Sequence, residues 1–168
     1  MGPLSSGLAS EDGYADRRGT VMAKELYYTT NVSWTGKKKA IVSFENNNKP
    51  DIGIAVAPEF MGHNDIVTPE DLFVSSVNAC MMSYFINVAE RMRIRFNSYE
   101  SSARGTLTED GIDFVFTRID IDLKVVVDDE KNVEKAKRAI EMAKKGCFVA
   151  NSIKADVAVS YDVSMEGK

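Results

Sequence analysis

The chain carries two thiols, Cys80 and Cys147, and Glu70 stands ten residues before the first of them in the triplet Thr68-Pro69-Glu70. Two cysteines in 168 residues are too few for a disulfide scaffold. Each sits in an apolar, ordered-looking segment with no secretory signal ahead of it, which fits thiol chemistry in a reducing compartment and predicts a cytoplasmic protein. The competing reading is that the thiols only fill space. Free cysteine is among the most buried residue types, and Cys80 lies on an apolar stripe.

Other groups offer less chemistry. Glu59, His63 and Asp65 share a loop, but one histidine and two carboxylates there are expected to be solvated, with no metal bound. A single histidine excludes a Ser-His-Asp triad, and there is no glycine-rich phosphate loop. Met81, Met82 and Met92 are expected to pack the core, and Lys37-Lys38-Lys39 reads as a solvated turn. A net charge of −4, with no basic patch carrying interleaved aromatics, argues against a nucleic-acid partner. No stretch is read as the roughly 20 apolar residues of a membrane span. The 44% hydrophobic and 27% charged composition is that of a globular protein. A chain of this length is long enough to bury roughly 70% of its unfolded surface.

The elements that must position the thiols follow from periodicity. Residues 1–21 are rich in Gly, Ser, Asp and Arg and lack a hydrophobic period, so they are expected to form a disordered leader or a translated upstream segment ahead of a single domain at 22–168. In this reading Met22 is the biological start, because Arg17-Arg18-Gly19 could be encoded by a purine-rich ribosome-binding sequence. Strands are predicted over 25–34, 39–44 and 51–57 by alternation, with Gly36 and the lysines turning between the first two. Thr68 is placed to cap a helix that Pro69 opens, with Glu70 and Asp71 complementing its positive end. Phe73, Val77, Cys80, Met81, Tyr84, Phe85, Val88 and Met92 then recur at helical spacing. Strand character returns over 99–107, a hairpin turns at Asp110-Gly111, and the apolar phase flips between Phe116 and Ile119, which predicts a bulge near Thr117-Arg118. A second helix is expected over 129–145 with Gly146 as its stop signal, and a last strand over 155–163. The order gives an α+β domain with a mainly antiparallel sheet.

Two segments then look familiar. Thr68-Pro-Glu-Asp-Leu-Phe-Val-Ser-Ser-Val-Asn-Ala-Cys80 resembles the cysteine-helix signature of the OsmC/Ohr family of thiol peroxidases, and Gly146-Cys147-Phe-Val-Ala-Asn-Ser-Ile-Lys154 resembles its second cysteine motif. The resemblance covers about residues 25–163. It implies a curved, mainly antiparallel sheet around a long central cysteine-bearing helix, a second helix, and an interlocked homodimer with composite sites at the subunit interface. It further implies that Cys80 attacks a hydroperoxide and becomes a sulfenic acid, that Cys147 condenses with it to a disulfide, and that an external dithiol reduces the product. Glu70 falls on the family's acidic position, which holds an arginine against the reactive sulfur. No cofactor is implied. The alternative on the same fold is a non-catalytic protein binding an apolar small molecule near Cys80.

The chain departs from the family pattern. Phe148 stands where proline is usual and Ala150 where serine is usual. No arginine lies between Met22 and Cys80, so the activating cation is left open among Lys37, Lys38, Lys39, Arg104 and Arg118. A cation is needed because a free thiol is only about 3% ionised at neutral pH. The helix dipole fades within one turn, whereas Cys80 lies some three turns into its helix. Ten helical residues separate the backbones of Glu70 and Cys80 by about 15 Å, so Glu70 can act on the sulfur only through such a cation or if the helix starts late.

Overall fold

The computed structural model describes residues 25–45 and 48–165. The expected leader at 1–21 and the start at Met22 lie outside them. Three short strands, β1 (Thr30–Gly36), β2 (Lys39–Phe44) and β3 (Ile52–Ala55), form an antiparallel sheet. The first strand starts later than its alternation suggests because its partner runs out: Thr30 pairs with Phe44, the last residue of β2. Tyr27, Tyr28, Val32 and Trp34 are all exposed on this arm.

The long helix α1 (Pro69–Arg91) begins where the capping residues predict. Thr68 accepts from the Asp71 amide at 3.2 Å, and the Asp71 carboxylate accepts from the Thr68 amide at 2.9 Å, a reciprocal capping box. Asp71, not Glu70, makes that return bond. The helix is long and apolar enough to cross a membrane by length and composition alone, which the sequence reading did not anticipate. Here one face, Val77, Cys80, Met81, Phe85, Val88 and Ala89, is buried against the protein's own core.

That core lies on a second sheet, ordered β4 (Phe96–Asp110), β5 (Asp113–Val127), β6 (Asp156–Met165). Ile119, Ile121, Leu123, Val125 and Val127 point inward from β5 and are essentially inaccessible, each contributing roughly 1.5–3 kcal/mol by burial. Thr106 pairs with Arg118 and Leu107 with Phe116, so Thr117 is the extra residue of a bulge at the predicted phase flip. Gly111 turns the hairpin with φ 70°. The chain leaves β5, runs back through α2 (Val133–Gly146) and returns as β6 parallel to β5, because a helical crossover brings the next strand in the same direction. Helix and strands make an α+β fold of two mainly antiparallel sheets.

A buried thiol pair and an open cavity

Cys80 projects from the buried face of α1, three turns in, and is almost inaccessible. Cys147 is the residue that ends α2, wholly buried, with its amide donating to the Ala143 carbonyl at 2.9 Å. What lets the two helices approach is Gly146. It has no left-handed backbone angle and is still helical, so it is not the stop signal the sequence suggested. Its missing side chain leaves room for Tyr84 of α1: a Cβ there would sit 2.1 Å from Tyr84 Cζ. Tyr84 lies one turn beyond Cys80, so this close approach sets the next residue, Cys147, against the Cys80 side chain.

The two thiols are free and belong to one buried cluster, near enough that Cys80 acts on the Cys147 thiol electrostatically. Burial pushes the Cys147 thiol up to about 11; the Ala150 amide opposes this, and the adjoining Cys80 adds to it by hydrogen bond and charge. The Ala150 N–H donates to Cys147 Sγ at 3.5 Å. Cys147 thus holds its proton at neutral pH while facing groups that favour its thiolate.

Glu70 is elsewhere. It occupies the first turn of the same unbroken helix, about 15 Å along the axis from Cys80, so one chain does not bring the two together. Its side chain is half-buried, and Oε2 is shielded without a hydrogen-bond partner. It lines a cavity of about 770 Å³ walled by Phe60, Val74, Leu107, Phe114 and Phe116. Neither cysteine lines that cavity, which lies at the Glu70 end of α1.

The candidate cations separate clearly. Lys38 donates to the carbonyls of Phe60 (3.1 Å) and Met61 (3.0 Å), clamping the β1–β2 turn on the cavity loop. His63 Nε2 reaches the Lys37 carbonyl at 2.8 Å and reinforces that clamp. Lys39 is a strand residue opposite Ala55. Arg118 is bound to Asp120 (2.7 Å) and Asp156 (3.1 Å) on the exposed face of the second sheet, alternating with the inward Ile119 and Ile121 that face the helices. Arg104 pairs in register with Asp120 on the edge strand β4 and contributes to the cavity wall. Among the described residues it has no hydrogen-bond or ion-pair partner. Sequence reasoning missed the Tyr84–Gly146 contact and the buried Tyr99 hydroxyl, since a tyrosine on an apolar stripe and a glycine at a helix end both have ordinary explanations.

A family model described as OsmC-like protein matches residues 62–162, which include both cysteines. No curated protein sequence matches the chain. An OsmC-like protein of unknown function from Vibrio cholerae superposes with a TM-score of 0.73 at 20% identity, covering 82% of this chain and all of the other. An organic hydroperoxide resistance protein from Elizabethkingia anophelis gives 0.64 at 20% identity, with 86% and 100% covered. A further one from Legionella pneumophila gives 0.61 at 23%, with 84% and 99% covered. At these identities the structural likeness is one of fold.

Proposed function

The chain belongs to the OsmC-like protein family, and from that premise we propose that it is a cysteine-dependent peroxidase that reduces organic or small hydroperoxides. The observation that carries this reading is the burial of Cys80 and Cys147, the chain's only two thiols, in one cluster at the α1–α2 junction. In the first step the Cys80 thiolate attacks the distal peroxide oxygen. The O–O bond breaks, the leaving alkoxide takes a proton to become an alcohol, and Cys80 becomes a sulfenic acid. Cys147 then displaces hydroxide from the Cys80 sulfur, forming the disulfide and water. An external dithiol restores both thiols by exchange.

The raised proton affinity of Cys147 supports its assignment as the resolving partner, because at rest it competes poorly for substrate. Once Cys80 is a neutral sulfenic acid its charge no longer holds the proton on Cys147, and the Ala150 amide then favours the thiolate. The exposed Val32 and Trp34 of the first sheet, with Tyr27 and Tyr28 just ahead of it, support a homodimer, since apolar surface of that kind marks an interface. In that dimer Glu70 serves the Cys80 of the partner subunit, because it lies too far along α1 to serve its own. Among the described residues of one chain no candidate cation bridges Glu70 to the sulfur: Lys38 and Arg118 are engaged elsewhere, and Arg104 is in register with Asp120 on the face of the second sheet turned from the helices. The cycle suits the cytoplasm, where dithiol reductants are available.

Treating the reduced protein with one equivalent of cumene hydroperoxide tests the reading. The expected product has lost two hydrogens, with Cys80 and Cys147 joined, and Cys80→Ser abolishes the reaction. Thiols that stay free after exposure to excess hydroperoxide would refute it.

A further inference from the structure

The cavity beside Glu70 has the walls of a binding site in its own right. Its apolar side is Leu107, Phe114 and Phe116, all on the part of the β4–β5 hairpin that lies beyond the Thr117 bulge. Gly105 lets α1 close on that wall: a Cβ there would sit 2.6 Å from Val74 Cγ2 and 2.7 Å from Phe116 Cε1. At the far end Phe60 meets Phe114 edge to face, with ring centroids 5.4 Å apart. The loop that carries Phe60 is fixed. Gly62 packs directly on the Val56 carbonyl, and Lys38 ties the Phe60 and Met61 carbonyls to the first sheet. Walls set in advance keep the entropy lost on binding small, and about 770 Å³ is ordinary for a small-molecule site.

The polar side of the cavity is acidic. Glu59, Glu70 and Asp71 border it against one arginine, Arg104, which is in register with Asp120 on the sheet face turned from the helices. His63 is engaged by the Lys37 carbonyl, and the Asp71 carboxylate by the Thr68 amide and hydroxyl. Glu70 remains: half-buried, with Oε2 shielded from solvent and no donor to it among the described residues. An ionised carboxylate only accepts hydrogen bonds, and a shielded oxygen without a donor is unfavourable. The terminal torsion of a glutamate is soft, so a ligand in the cavity can draw either oxygen towards itself. A charged N–H donor answers that carboxylate about twice as strongly as a neutral one.

We propose that this cavity binds a small amphipathic amine, with its apolar body against Leu107, Phe114 and Phe116 and its ammonium on the Glu70 carboxylate. An anionic head is repelled by the same carboxylates, and a hydroxyl makes the weaker bond. The site goes beyond the peroxidase reading and does not depend on the reactivity of the thiols, neither of which borders the cavity.

Isothermal titration of the full chain with 4-phenylbutylamine, 4-phenylbutanol and 4-phenylbutyrate tests this, because the three share one apolar body and differ in the head. The amine is expected to bind at least about tenfold tighter than the alcohol, as a hydrogen bond to a charged group supports, and the carboxylate weakest of all. Added salt weakens the amine and leaves the alcohol in place. Glu70→Gln removes the charge with little change of shape and brings amine and alcohol to near parity. Phe114→Ala, at a partly exposed position, weakens amine and alcohol alike. The head-group series and its salt dependence need no substitution, so they decide the matter even where a variant folds poorly. Equal binding of amine and alcohol, an amine advantage that survives in Glu70→Gln, affinities untouched by Phe114→Ala, or no binding of any of the three overturns the proposal.

Discussion

Adding one methyl group at Gly146 should pry the two thiols apart. The Cβ of Gly146→Ala would lie 2.1 Å from Tyr84 Cζ and 2.3 Å from its hydroxyl oxygen, well inside contact distance. The ring is rigid and packed on the core, so its tip yields only if the whole side chain turns or α2 backs away from α1. Overpacking of this kind costs about 1–3 kcal/mol. Alanine recovers up to about 1 kcal/mol in helix propensity, and less in a last turn. The net destabilisation is then about 1–2 kcal/mol, which for a chain of this size lowers Tm by roughly 3–6 °C. Because Cys147 follows directly, the same displacement widens the gap to Cys80, and diamide closure should slow together with the loss of stability. Thermal unfolding followed by circular dichroism, paired with closure kinetics, measures both. Tyr84→Ala in the same chain removes the obstacle, so the double variant should recover closure relative to Gly146→Ala alone. If Gly146→Ala is as stable as the parent and closes at the parental rate, the helix contact does not position the thiols.

Further outcomes follow from the same coordinates. Disulfide closure after peroxide treatment should accelerate as pH rises from 6 to 9, because burial, the largest cause of the raised Cys147 pKa, persists when Cys80 is oxidised, and the thiolate fraction grows with pH; stopped-flow quenching and mass analysis would read it, and a flat profile contradicts it. Cys147→Ser should still consume one hydroperoxide but stop at a sulfenic acid on Cys80 that dimedone traps, with dithiol-driven turnover lost. Arg104→Met should leave the rate of Cys80 oxidation unchanged, because its register with Asp120 turns it away from the helices. Arg118→Met, which breaks two solvent-exposed ion pairs, should cost at most about 1 kcal/mol and leave that rate unchanged. Thr68→Ala removes a buried cap and should destabilise the fold by about 0.5–2 kcal/mol in urea titration.

Much of the scaffold could be read before any coordinates. Thr68 and Pro69 mark the start of α1 because capping and the proline ring are local effects, and both operate within one turn. The phase flip between Phe116 and Ile119 located the Thr117 bulge because alternation reports which face each residue presents. The extents of strands were less legible: β4 runs from Phe96 to Asp110, longer than its alternating stretch, because pairing with the equally long β5 extends it. The late start of β1 has the same cause, since a strand ends where its neighbour does.

The site divided along similar lines. By itself the sequence determined the α+β class, the two cysteines as the only thiols, and the helix that carries Cys80, because each depends on residue type and short-range spacing. Only the tertiary structure decided that Gly146 is a seat for Tyr84 and not a helix stop, that β6 runs parallel to β5, and that Arg118 is tied to Asp120 and Asp156 while Glu70 lines a cavity apart from both cysteines. Those facts join residues far apart along the chain, and a contact of that kind is set by how helices and sheets pack, not by the order of neighbours in the sequence.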